Sequence, residues 1–111
     1  ILKQGESDAL DAMKADLGAS FVNLGRSKHR LKVFNKGKAQ ARNVRIEFPD
    51  GNSVVIESEI AKKFPMETME QQQSVNLIAA VHMGSELKQT IILRWEDDHS
   101  HSNEKTIYLT L

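Results

Sequence analysis

Glu96-Asp97-Asp98-His99-Ser100-His101 sets three carboxylates and two imidazoles within six residues. Carboxylate oxygen and imidazole nitrogen are donors that Zn²⁺ or Ni²⁺ accepts from a protein. Asp98, His99 and His101 are therefore the candidate metal ligands of the chain. Their spacing is not that of a zinc finger, and no distant further ligand stands out. A polar hairpin loop accounts for the same residues. The imidazoles also titrate near about pH 6.5 and could modulate the charge of a surface there.

The second group is electrostatic. From Arg26 to Arg45 the chain carries eight lysines or arginines and no acid, which leaves seven bases and fifteen acids elsewhere. Such a run could contact phosphate, with the steep salt dependence of several phosphate contacts. The alternation argues otherwise. Arg30 and Lys32 interleave with Leu31 and Val33, the pattern of a solvated outer strand face. If the strands holding Arg30/Lys32 and Arg45 lie in opposite sheets, the run is divided between two surfaces. Lys36, Lys38 and Arg42 would then gather at one end, near Asp97, Asp98 and Glu104, and we expect Lys36 and Lys38 to be partly paired with Asp97 and Asp98. Aromatic residues for base stacking are not interleaved with the run, so nucleic-acid binding is not expected and a weak polyanion surface through 26–45 is only an alternative.

Catalysis has no sequence signature here. There is no Gly-x-Ser-x-Gly elbow and no glycine-rich phosphate loop. His29 and His82 stand alone at strand ends and read as surface residues. A small domain without long loops offers little room for a concave site. The expectation is a non-enzymatic protein without a cofactor.

The elements that must position these groups follow from periodicity. Residues 1–15 favour helix, with Ser7 or Asp8 able to cap and Leu10, Met13 and Leu17 on one face. Too short to be stable alone, this segment reads as a linker or the end of an upstream helix. From Asp16 onward the period is two. Leu17/Ala19/Phe21, Leu31/Val33, Val44/Ile46/Phe48, Val54/Ile56, Val75/Leu77/Ala79/Val81, Ile91/Leu93/Trp95 and Ile107/Leu109/Leu111 each alternate with polar residues, as half-buried strands do. Turn signals at 35–37, 49–51, 83–85 and 97–104 separate them. Ser58 to Phe64 breaks the pattern and predicts one or two helical turns, capped by Ser58 and stopped by Pro65. Six or seven short strands with connections too short for helical crossovers predict an all-β, antiparallel two-sheet sandwich over 16–111.

Phe34-Asn35-Lys36-Gly37, then Ala39, Ala41 and Asn43-Val44-Arg45-Ile46, resembles the strand B to strand C corner of bacterial immunoglobulin-like sandwich modules of the CARDB and adhesion type. Gln73-Ser74-Val75 resembles their entry into strand E, with Gln72-Gln73 where Pro-Gly is usual. Leu93-Arg94-Trp95-Glu96-Asp97-Asp98 resembles their strand F and F–G loop. The resemblance spans about residues 16 to 111. It implies an immunoglobulin-like topology of about seven strands, and a spacer, adhesion or docking role in a larger bacterial protein. Independently of it, Asn35 and Gly37 suit the positive φ of a tight turn. Ala39 and Ala41 are small enough to let the chain pass from sheet to sheet.

At 111 residues the chain fits one domain able to bury a core without staples. It has no cysteine and equal numbers of acidic and basic side chains, so neither disulfides nor bulk attraction to polyanions is available. No apolar run has the length of a membrane helix. Because the chain opens on Ile1, we expect a fragment of a longer protein, with room for an upstream membrane anchor. A cytoplasmic or membrane-tethered place in a bacterium fits equally. Trp95 falls on the inward face of its strand and reads as core. Ile78, Ile92 and Tyr108 fall on outward faces, which predicts that part of a sheet surface is covered by the N-terminal helix, through Leu10 and Met13, or by a protein partner. With Lys36 and Lys38 at the charged end, they are the candidate interaction surface.

Overall fold

The computed structural model describes residues 9–25, 28–80 and 88–110. Two antiparallel sheets pack face to face. Strands β1 (Leu17–Gly25), β2 (Lys28–Asn35) and β5 (Ser74–Ala80) form one in the order β1-β2-β5. Strands β3 (Ala41–Glu47), β4 (Met66–Met69), β6 (Lys88–Glu96) and β7 (Asn103–Thr110) form the other in the order β4-β3-β6-β7. The all-β two-sheet sandwich predicted from the alternation is therefore present, with a short helix, α1 (Glu57–Lys63), between β3 and β4.

The alternation works because a strand turns successive side chains to opposite faces. Leu31 and Val33 of β2, Leu77 and Ala79 of β5, and Ile91, Leu93 and Trp95 of β6 all point into the interior and are buried. Leu17, Val44, Met69 and Leu109 complete the core from the remaining strands. Arg30, Lys32, Arg45 and Glu47 face out and are exposed.

Three local expectations change. Val54 and Ile56 do not lie in a strand. The Asn52 side chain accepts from Val54 N and Val55 N and donates to Val55 O, which folds the segment into a turn. Val54 and Val55 are both buried and Ile56 is exposed, and only an isolated bridge joins Val55 to Ala79. Ser58 does not cap α1. Ile56 occupies that position without a side-chain bond, and Ser58 lies inside the helix. The helix does stop before Pro65, as expected, with Phe64 extended. Finally, Met66–Met69 is a strand that alternation does not reveal, because four residues give no period and Met66 and Met69 are an odd number of steps apart.

Helical geometry in the described N-terminal residues is confined to Ala9, Leu10 and Asp11. Leu10 and Met13 are exposed, whereas Leu17 is fully buried as the first residue of β1, so these three do not form one packed face. Ser7, Asp8, Val81, His82, the 83–85 turn and Leu111 lie outside the described residues.

Candidate functional site

The β2–β3 corner, the start of β1 and the β6–β7 loop meet at one pole of the sandwich. Asn35 is the centre of that pole. Its side chain is fully buried and makes four hydrogen bonds. Oδ1 accepts from Asp16 N at 3.1 Å and Gly37 N at 3.0 Å, while Nδ2 donates to Ala39 O at 2.8 Å and Met69 O at 3.1 Å. An amide has two donor and two acceptor sites to offer, so the group is satisfied by chain from three separate segments, the lead into β1 at 16, the corner at 37–39 and the end of β4 at 69. Asn35 and Gly37 do not take the positive φ expected of them; among the described non-glycine residues that conformation occurs at Asn43 and Gln72. Gly37 is instead required by close approach. A Cβ there would stand 2.3 Å from Asp16 N and 2.7 Å from the Ala15 carbonyl carbon.

The approaching backbone is a strap, residues 14–16, laid across the corner. Lys38 N and Ala39 N donate to Lys14 O, and Lys36 N donates to Asp16 O. Asp97 holds the strap from the other sheet. Its Oδ2 accepts from Ala15 N at 2.9 Å, and its Oδ1 accepts from His99 N and Ser100 N, each at 2.9 Å. Burial alone would raise the Asp97 pKa. The N–H donors of Ala15, Ser100 and His99, with the Asn103 side chain, outweigh it and hold the carboxyl below its ordinary range.

These bonds revise the expected pairing at this pole. Asp97 is buried and engaged by backbone, so it is no partner for a surface lysine. Asp98 pairs with Arg42 at 3.0 Å. Lys36 lies 3.8 Å from Asp16, which also meets Lys105 at 3.0 Å. Lys38 has no carboxylate partner among the described residues. The end-clustering of Lys36, Lys38 and the 97–104 loop is as expected; the pairs are not.

The histidine loop does not assemble a ligand set. Among the described residues no three His, Asp or Glu side chains are grouped to hold a metal. Asp98 turns to Arg42, and His101 Nδ1 stands 3.8 Å from Glu96 Oε1 with its ring almost wholly in solvent. His29, at the opposite pole, is partly buried, and its Nδ1 has no hydrogen-bond partner.

The candidate interaction residues divide between the sheets. Ile78 is 61% exposed on the outer face of β5, beside Arg30 of β2. Ile92 and Tyr108 share the outer face of the other sheet. Ile92 faces Thr106 and Tyr108 faces Thr90, which makes the two diagonal neighbours. Tyr108 is 79% exposed and Ile92 partly so. Next to them Arg94 is bracketed by Glu47 at 3.2 Å and Glu104 at 2.9 Å. With Leu10 and Met13 themselves exposed, the described end of the N-terminal helix leaves Ile78 and Tyr108 open.

The free side of β5 is covered by the segment running from Val54 into α1. Ala80 N donates to Val54 O and Ile56 N to Ile78 O. Glu59 Oε1 accepts from Ile78 N at 3.2 Å, and Lys63 Nζ donates to Asn76 O. The Lys63 ammonium, 3.1 Å away, and the Ile78 N–H together hold the Glu59 carboxyl below its usual range. The helical spacing of Glu59 and Lys63 was visible in sequence, but their use as a clamp on a sheet edge was not, because the partner strand lies about fifteen residues on.

Fold and site together define a small antiparallel β-sandwich whose buried polar groups fasten its own chain. No protein-family model matches the sequence, and no curated protein or solved structure does either.

Proposed function

We propose that this domain is a non-enzymatic interaction module of a larger bacterial protein, built on an immunoglobulin-like topology. The first, second and fifth strands share one sheet and the third, sixth and seventh the other, which supports that topology. The fourth strand departs from the constant-type arrangement by joining the third. The observation that carries the functional reading is the exposure of Ile78 and Tyr108, apolar or aromatic groups standing out from the middle of regular strands. Large apolar side chains grouped with neighbours on a flat sheet face mark contact surfaces more than isolated ones do.

A photo-crosslinking amino acid placed at 78 or at 108 is expected to capture a discrete protein from extracts of the source cell. Ile78→Asp and Tyr108→Asp should each leave the melting temperature within about 2 °C, since neither side chain is in the core. If neither position captures a discrete protein, the interaction reading fails.

A spacer role is supported by a separate observation. The chain enters at the pole where Asp16 meets Lys105, and β7 runs away from that pole to end at Thr110, paired with Lys88. Entry and exit at opposite poles suit a module threaded between neighbours. Tandem copies joined through residues 9–16 should scatter X-rays as an extended rod; a compact particle would remove this reading.

A further inference from the structure

The three-stranded sheet carries no acid. Across LGASFVNLG, KHRLKVFN and SVNLIAA the charged side chains are Lys28, Arg30 and Lys32, all on the central strand. They occupy alternate positions, so one face of the sheet receives all three, and all three are exposed. The register sets Lys32 between Ser20 and Asn76, Arg30 between Val22 and Ile78, and Lys28 between Gly25 and Ala80. The division of the basic run between two sheets, which weakens the case for one large patch, thus leaves an unbroken cationic row on one of them, with apolar neighbours on both sides of Arg30. Among the described residues none of the three is paired with a carboxylate.

We propose that this face docks an extended acidic segment of a partner protein, its carboxylates at every second position meeting Lys28, Arg30 and Lys32. The inference rests on the interaction-module reading and specifies its partner. Alternate residues of a strand repeat at about 6.6 Å. An extended segment with acids at alternate positions has the same repeat and meets all three cations without distortion. Ile78 and Val22, on either side of Arg30, supply apolar contact to the aliphatic stems of the acids. A second copy is disfavoured as the occupant, because it would set one cationic row against another. Single-stranded nucleic acid lacks its stacking platform: Phe34, the aromatic residue on this face, lies against Gly18, where a Cβ would be 2.7 Å from the ring.

The probe is a fluorescein-labelled nine-residue peptide alternating glutamate with threonine or valine, read by anisotropy. The wild-type domain should bind it at least about tenfold more tightly than the same peptide with glutamine for glutamate. Lys28→Glu/Arg30→Glu/Lys32→Glu should lose about tenfold or more while keeping the far-ultraviolet spectrum of the parent, as exposed residues allow. Binding should fall several-fold as salt rises from 50 to 200 mM, roughly the range over which exposed charges become screened. Ile78→Asp should weaken it as well. Equal binding by wild type and triple variant, or no preference for glutamate, overturns the proposal. So does tighter binding of an oligothymidylate or of phosphatidylserine vesicles, which would make the face a general polyanion surface. Loss of peptide binding alongside intact capture at position 108 would overturn this inference and leave the interaction module standing.

Discussion

Asn35 and Asp97 place four hydrogen-bonding atoms inside the protein, and each atom has found a backbone partner. Asn35→Ala leaves the N–H of Asp16 and Gly37 and the carbonyls of Ala39 and Met69 without that partner. At about 1–3 kcal/mol for each buried group stranded, the loss should be at least about 3 kcal/mol in urea unfolding. Asp97 adds a pH dependence. Its native pKa is lowered from the ordinary 3.8, so its stabilising effect is complete above that value and lost as pH falls through the lower native one. Asp97→Asn should therefore be less stable than wild type at neutral pH, with the difference shrinking as both are titrated below about pH 4. Urea unfolding across that range checks it, and a gap that stays constant would remove the assignment. The sequence marked both residues but gave each the wrong task. Asn35 looked like a turn former because the Asn-x-Gly spacing is local, whereas its partners at 16 and 69 are distant. Asp97 looked like a surface acid because it stands among other acids. Only the strap, arriving from 82 residues away in sequence, shows that it is buried.

Elements were legible where alternation was sustained, and for β2 the two inward positions Leu31 and Val33 sufficed. β5 and β6 follow directly from Val75/Leu77/Ala79 and Ile91/Leu93/Trp95. The segment 52–56 was misread because two or three apolar residues fit a strand and a tight turn alike, and the Asn52 bonds decide between them. β4 escaped because its pairing with β3 depends on the neighbour and not on its own pattern. Gly37 tests how the strap is held. Gly37→Ala must push Asp16 and Ala15 away, so the amides of Ala15, Asp16, Lys38 and Ala39 should exchange with solvent at least about tenfold faster, while amides in the middle of β6 keep their protection. Glu59→Ala tests the cover on β5. The Ile78 amide should lose protection, with far less change at Leu31, whose strand is paired on both sides. Uniform acceleration across the sheet would show that α1 stabilises the whole domain and not the edge alone.

At the scale of the molecule, charge is sorted by sheet. One outer face bears a cationic row without acids, while the other sets Arg94 between Glu47 and Glu104. A neutral total conceals this, which is why composition argued against a polyanion surface although one face has the charge for it. The interior is common to both faces. Leu93→Ala, at a fully buried position, should cost about 2–5 kcal/mol and lower the melting temperature without altering peptide binding to the cationic face.

The opposite placement of entry and exit has a mechanical consequence. Tension applied through the chain would draw β1 along its own axis from its Leu17 end and β7 along its axis from its Thr110 end, in opposite directions. Each outer strand would then slide past its neighbour, with many backbone bonds loaded at once, instead of peeling away one bond at a time. Pulled end to end in an optical trap, the domain should yield at a higher force than when handles at Gly25 and Lys28 part β1 from β2 across their shared turn. The strap adds a second restraint, since Asn35 and Asp97 grip residues 15 and 16 before the load reaches β1. Asn35→Ala should lower the end-to-end yield force and leave the transverse one nearly unchanged.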